Sequence, residues 1–336
     1  MMARRAASLR DVAERAGASP QTVSRVANGG ANVTAALRDR VLDAMRELDY
    51  RPNAAARAIR RGAFRSVGIV YNTLGSVGIH RTLGEISERA ATRGYATTLM
   101  PMTASTTSDA SGAFSRLNEM TVDVVIAIIA DRFEADGVVR LPEGIPAVVV
   151  GPEILHGAAT IDFDQRGGAE QAVAHLLSLG HRTVHHLAGP AESFPAERRR
   201  MSWADTLTGS GRELTVIERG DWTARSGYAA AQRLLTHTAP TAVFVANDQM
   251  ALGAYRALHE AGLRVPTDVS VVGFDDTEEG AMLVPPLTTV RQEWRALGRD
   301  ALDLALAMSD GAGPSSVILP TSLIIRSSTA APRDAT

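Results

Sequence analysis

The 336-residue chain has no cysteine, and all 35 of its basic residues are arginine; aromatic residues amount to only 4%. Without cysteine there is no disulfide, no thiolate nucleophile and no cysteine-ligated metal, so any chemistry must come from other side chains. The missing lysine reads first as compositional bias. No stretch reaches the roughly 18 uninterrupted apolar residues of a membrane-spanning helix. The arginines near Met1 are not followed by a secretory apolar segment, so the expected location is the cytoplasm, with no membrane partner. Gly-rich phosphate loops, nucleophile elbows and HExxH helices are also missing, which argues against an enzyme. What remains is an ordinary globular balance, 45% hydrophobic and 21% charged, long enough for two or three packed units.

Charge is unevenly placed. Up to Arg65 there are 13 arginines against six acids, so the net charge of −2 leaves a surplus of nine negative charges on the rest. A basic head on an acidic body suits a head that meets a polyanion such as DNA, although a solvated basic tail would have the same composition.

Local signals divide the head into short helices. Ser8 with Asp11 three residues on is an N-terminal capping pattern, and Gly17 closes the helix Leu9 to Ala16. Ser19 caps a second helix that has Pro20 at its first position. Thr34 can cap a third, in which Val41, Leu42, Met45 and Leu48 recur at helical spacing. Beyond Pro52, Asn53 caps a segment, Ala54 to Arg60, too short to be a stable helix alone.

Two short helices joined by Gly17, Ala18 and Ser19 form a helix-turn-helix. Its second helix would turn Pro20, Gln21, Ser24 and Arg25 outward, with Val12, Ala13, Val23 and Val26 in the core. Gln21 can pair with adenine edges and Arg25 with guanine, while Thr22 and Ser24 lie nearer phosphate. Gln21 taken singly is equally well an exposed polar residue. The spacing of the whole segment carries the argument.

From Val67 onward, short apolar runs alternate with amphipathic stretches, the pattern of parallel sheets flanked by helices. Strands are predicted at 67–71, 96–100, 124–129, 147–150, 184–188, 241–246 and 269–274. Gly94, Gly180 and Gly262 fall where intervening helices should stop. The cluster His181, His185, His186 has one metal-like spacing but spans a helix end and a strand, so no metal is expected.

The segment LRDVAERAGASPQTVSRVAN (Leu9 to Asn28), followed by Tyr50-Arg-Pro-Asn53, resembles the signature of lactose-repressor-family regulators. Beyond Gly180, Leu187 to Pro190, Gly220 to Gly227, Val245 to Ala254, Ser270 to Glu279 and Pro285 to Gln292 resemble the family's namesake closely. The resemblance implies an α/β fold: an N-terminal helix-turn-helix head (1–52), a hinge helix (53–62), and a two-lobed, periplasmic-binding-protein-like core of parallel sheets flanked by helices (63–336). Lobe one would hold about 66–162 and 294–320, lobe two about 163–292 and 321–330. It implies a homodimer on a pseudo-palindromic operator, without cofactor, released by a small sugar, with the protein nucleoid-associated when bound. The chain ends at Thr336 without the leucine-heptad helix that joins dimers into tetramers in the namesake, so a dimer is expected.

By position, the resemblance assigns DNA contacts to Ser19, Pro20, Gln21, Thr22, Ser24, Arg25, Asn28, Tyr50, Asn53, Ala56 and Ile59. Ile59 stands where a leucine wedge usually enters the minor groove; being β-branched, it is stiffer and slightly worse in a helix. Effector contacts carried over are Arg199, Trp222, Asn247, Asp275, Gln292, Trp294 and Leu297, which suit hydroxyl pairs and a stacked sugar face. In the first lobe Asn72, Ser76 and Ile79 have altered chemistry. Gly151 replaces an aspartate, Ile128 stands where an amide is expected, and Asp162 could restore the lost carboxylate. A galactoside is the expected effector; another oligosaccharide, a purine, or an activator on the same fold stay open.

Overall fold

The computed structural model describes residues 7–50, 63–102, 122–132, 144–152 and 157–333. The chain divides into two compact units between Phe64 and Arg65.

The first unit is helical. α1 (Leu9–Ala16) opens on a reciprocal cap, in which Asp11 N donates to Ser8 Oγ at 3.3 Å and Ser8 N to Asp11 Oδ2 at 2.7 Å. It closes at Gly17 with φ of 59°, a left-handed turn that glycine adopts without strain. α2 (Pro20–Ala27) starts at Ser19, whose Oγ accepts from Thr22 N at 3.1 Å. α3 (Ala35–Glu47) begins after Thr34, but there the side chain makes no capping bond. Arg40 Nη2 donates to Ala16 O at 2.6 Å, satisfying a carbonyl left open at the end of α1. The three helices bury Val12, Ala13, Val23, Val26, Val41 and Met45 together. Leu42 departs from the predicted apolar face: it is 41% exposed, and Ala44 takes the inward position. The predicted helix Ala54 to Arg60 lies outside the described residues.

The second unit holds two six-stranded sheets. Sheet one is all parallel, in the order β11-β5-β4-β3-β1-β2, from β1 (Ser66–Tyr71), β2 (Ala96–Pro101), β3 (Val124–Ile128), β4 (Ala147–Val150), β5 (Ala159–Phe163) and β11 (Ser316–Leu319). Sheet two, in the order β12-β10-β9-β8-β6-β7, combines β6 (His185–Ala188), β7 (Ile217–Arg219), β8 (Ala242–Val245), β9 (Ser270–Asp275) and β10 (Thr288–Gln292) with β12 (Thr321–Ile324), which runs antiparallel to β10. β3, β4, β6, β8 and β9 are buried along their whole length, as expected of parallel strands covered on both faces.

α4 (Val77–Thr92) and α10 (Trp294–Ser309) cover sheet one, burying Ile79, Leu83, Ile86, Leu297, Ala301 and Leu302 against Val67, Ile69 and Ile126. On sheet two, α5 (Gln165–Ser178) and α6 (Phe194–Gly209) enclose Trp203, Phe244 and Phe274. α7 (Ala224–His237) and α8 (Asp248–Glu260) cover the opposite face, and the short α9 (Glu278–Ala281) follows β9. The chain passes between the lobes three times: from β5 into α5, from β10 into α10, and from β11 into β12.

Every predicted strand is present. The sequence reading did not pick out β5, β7, β10, β11 and β12. Asp162 interrupts β5 and Arg291 interrupts β10, while β11 and β12 are four-residue edge strands without a buried run.

Candidate functional site

In the head, Ser19, Pro20, Gln21, Arg25 and Asn28 are exposed and Thr22 and Ser24 half-buried. Leu9, Pro20, Gln21, Ser24, Arg25 and Asn28 rim one shallow depression. Asn28 Nδ2 donates to Ser24 O at 2.6 Å, and Thr22 and Ser19 share a hydroxyl contact of 2.9 Å, so these groups brace the helix ends. A Cβ on Gly30 would lie 2.5 Å from Arg25 Cγ, so the aliphatic stem of Arg25 rests directly on the turn. Such a seat limits rotamer freedom and holds the guanidinium outward. Tyr50 packs half-buried on the head core. Asn53, Ala56 and Ile59 lie outside the described residues.

In the second unit a cleft of about 700 Å³ opens between the lobes. Ser76, Ile79, Ile128, Asp162, Arg199, Trp222, Asn247, Asp275, Gln292, Trp294 and Leu297 all line it. Asn72 does not; its Nδ2 donates to Asp131 Oδ2 at 2.6 Å, beyond the end of β3.

The polar centre of the cleft is a closed ring of four buried side chains. Arg199 Nε donates to Gln165 Oε1 at 2.8 Å, Gln165 Nε2 to Gln292 Oε1 at 3.1 Å, and Gln292 Nε2 to Asp275 Oδ1 at 2.7 Å. Arg199 Nη2 stands 3.7 Å from the same Asp275 oxygen, an ion pair without a hydrogen bond. Gln165 and Gln292 sit on two of the three passages between lobes, so the ring ties the hinge to the cleft floor. Gln165 was not singled out from sequence; its one signal is its place just past the end of a strand that Asp162 disguises.

Asp275 is the last residue of β9 and has φ of 112°, followed by Asp276 at 51°, two consecutive non-glycine residues in the left-handed half of backbone space. Such conformations cost about 1–3 kcal/mol each and persist only where the surroundings over-determine them. Here Arg291 Nε and Arg326 Nη2 each bond Asp276 at 2.6 Å. Burial raises Asp275 to about 6, against the opposing pull of Arg199. Burial and the nearby Asp275 charge push Asp248 up to about 7, although it accepts from Thr289 Oγ1 and Thr277 N. Burial also lowers Arg199 to about 10.

Asn247 caps α8, accepting from Met250 N at 2.9 Å, and its Nδ2 donates to Trp222 O at 3.2 Å. That contact steadies Trp222 at φ of 74°, where its ring lies beside Arg199, 5.5 Å from centroid to guanidinium. Phe274 lies under the same guanidinium at 3.6 Å. Trp294 meets Phe163 edge-on at 5.0 Å on the first-lobe wall. Burial raises Asp162 too, and Arg198 Nη1 pairs with its Oδ2 at 2.5 Å across the cleft. At Gly151, φ is 136° and a Cβ would fall 2.4 Å from Ile129 O, so no side chain fits there without backbone movement.

The histidine cluster holds structure together. His181 bonds Thr241, Ser270 and the Ala330 carbonyl, and His186 stacks between Trp203 and Phe244, its burial lowering it to about 3. Among the described residues no group of His, Asp and Glu could hold a metal, and no helix is long and apolar enough to cross a membrane.

Comparison with known proteins agrees along nearly the whole chain. Residues 8–53 match bacterial regulatory proteins of the lacI family, and residues 173–329 match a periplasmic binding protein-like domain. The lactose operon repressor of Escherichia coli strain K12 is 36% identical over 98% of this chain and 92% of its own length. The regulator CelR of Thermobifida fusca is 33% identical over 98% of this chain and all of its own. Among solved structures, the lac repressor dimer bound to operator and the anti-inducer ONPF superposes with a TM-score of 0.82 at 33% identity, covering 97% of this chain and 100% of that one.

Proposed function

The chain belongs to the lacI family of bacterial regulatory proteins, and on that premise we propose that it is a cytoplasmic repressor which, as a homodimer, holds a pseudo-palindromic operator and releases it on binding a small sugar, a galactoside by first preference. The observation that carries the effector half is the polar ring of Asp275, Gln292, Gln165 and Arg199 beside the Trp222 face. Carboxylate, amide and guanidinium groups grip vicinal hydroxyls, and an indole face covers the C–H side of a pyranose. No catalytic step is needed. In the head, Gln21 and Arg25 read base edges from the major groove, while Ser19, Thr22, Ser24 and Asn28 hold the phosphate backbone. Residues 53–62, a segment outside the described residues, are proposed as the hinge, with Ile59 as the minor-groove wedge.

Sugar bridges the lobes, closes them and disfavours the DNA-bound state of the hinge. Only a difference in affinity between the two states can do this, so whatever factor sugar removes from operator affinity, operator removes from sugar affinity. The test is fluorescence anisotropy with DNA from around the protein's own gene, titrated with galactosides, glucosides and xylosides. Release by a galactoside supports the reading. Tight binding that no sugar changes, or release by a purine, overturns its effector half; absence of operator binding overturns all of it.

A further inference from the structure

The passages between the lobes converge beside the cleft, and the polar ring is built on two of them. Resting on the sugar-effector reading above, we infer that Gln165 is a positioning residue of the effector site: without gripping the sugar itself, it aims the Arg199 guanidinium and, through Gln292, the Asp275 carboxylate.

Local structure puts Gln165 where it can do this. It is the first residue of α5, directly after Asp164, whose Oδ1 accepts from Gly167 N at 2.8 Å as the helix cap. Asp164 N donates to Leu319 O at 2.8 Å, and Thr321 Oγ1 donates to Asp164 O at 3.1 Å. Leu319 ends β11 and Thr321 begins β12, so the third passage pins the backbone from which Gln165 reaches out. Gln292, its side-chain partner, ends β10 on the second passage.

Both ends of the Gln165 amide are engaged. Oε1 accepts from Arg199 Nε at 2.8 Å and Nε2 donates to Gln292 Oε1 at 3.1 Å, with all three side chains buried. The direction of these bonds is not free. A guanidinium only donates and an ionised carboxylate only accepts, so a single orientation of the two amides between Arg199 and Asp275 satisfies every link. Turning either glutamine over would set donor against donor or acceptor against acceptor, in a buried place where an unmade bond costs most. Arg199 is otherwise held by Nη1 on the Ala246 carbonyl and by Phe274 beneath it at 3.6 Å, which turns Nη2 toward Asp275. Without Gln165, Arg199 Nε loses its acceptor and Gln292 Oε1 its donor, and neither the guanidinium nor the amide that faces Asp275 keeps a fixed direction.

Isothermal titration of the full chain with the methyl β-glycosides of galactose, glucose and xylose, alongside operator anisotropy, tests this. Gln165→Met keeps the length and the apolar stem but makes neither bond. Its affinity for the sugar that the parent binds should fall at least about tenfold, the loss that follows a broken hydrogen bond to a charged group. Operator affinity without sugar should stay within about twofold of the parent. Gln165→Glu, nearly isosteric, supplies the rescue and covers the case in which the first variant does not fold. Protonated, the introduced carboxyl offers an oxygen to Arg199 and an O–H to Gln292, as the amide does; ionised, it only accepts. It would be buried as Asp275 is, facing Asp162 and Asp275 as well as Arg199, with Arg81 acting on Asp275 from lobe one, so it titrates between about pH 5 and pH 8. Its sugar affinity relative to the parent at the same pH should therefore recover by about tenfold from pH 8 to pH 5, while the Gln165→Met ratio stays flat. A space-filling role would leave both ratios near one. A Gln165→Met loss under about threefold, a Gln165→Glu ratio that does not rise toward acid, or operator affinity that falls in step with sugar affinity overturns the inference and leaves the sugar reading intact. No binding of any of the three glycosides by the parent overturns both.

Discussion

Replacing Asp275 with asparagine should separate what this residue does for binding from what it does to stability. Asp275 is 6% exposed and its titration is moved from 3.8 to about 6. The folded state therefore holds the proton more tightly than the unfolded state. Stability falls as pH climbs from 3.8 to about 6, and the loss is complete above that. At pH 7.5 the buried charge costs the folded protein about 3 kcal/mol relative to an unperturbed carboxyl. Asparagine keeps the shape and an oxygen for Gln292 and removes this cost. Arg199 loses its leading counter-charge but keeps the fields of Asp162 and Asp248, so the net gain should be about 1–2 kcal/mol. For a core of this size that raises the melting temperature by about 2–4 °C. Sugar affinity should fall by about 100-fold or more, because charge-assisted bonds to hydroxyls are worth about 1.5–3 kcal/mol each. Thermal melts at pH 5 and pH 7.5, with calorimetric sugar titration, give both readouts. A variant less stable than the parent at pH 7.5, or one that still binds sugar as tightly, refutes the reasoning.

Other consequences are as direct. Arg25→Ala should weaken operator binding by about 1–3 kcal/mol and relax preference at one base pair, read by anisotropy on single-substitution operators. The parent's log affinity should fall with log salt at about 0.9 per phosphate neutralised, and a flat response would sink the electrostatic account of the head. A Cβ at Gly253 would lie 1.9 Å from Ala224 O and 2.4 Å from Tyr228 N. Gly253→Ala must therefore part α7 from α8, costing about 3 kcal/mol in urea unfolding. Arg198→Met strands the buried Asp162 carboxylate and should cost about 2 kcal/mol at pH 7.5, less than a fully buried pair because Arg198 is 34% exposed. The deficit should shrink on acidification as Asp162 takes up a proton; a deficit that grows toward acid would contradict the assignment.

The sequence by itself determined what rests on neighbours a few residues apart. The Ser8 and Asp11 cap, the Ser19 cap with Pro20, and the left-handed stop at Gly17 are contacts of four residues or fewer, so composition and spacing specify them wherever the rest of the chain lies. Gly94, Gly180 and Gly262 mark helix ends for the same reason, all with positive φ. Continuous apolar runs made β3, β4, β8 and β9 legible, and with them the placing of Asn247 and Asp275 at or just past strand ends, since parallel strands covered on both faces tend to read as unbroken apolar runs.

Only the tertiary structure decided how the cleft is wired. Gln165 reaches Arg199 across 34 residues and Gln292 across 127, and Arg198 meets Asp162 across 36. No periodicity announces a bond between residues that far apart. Asn72 shows the converse: the family resemblance gave it a cleft role, but Asp131, 59 residues away, takes its amide instead.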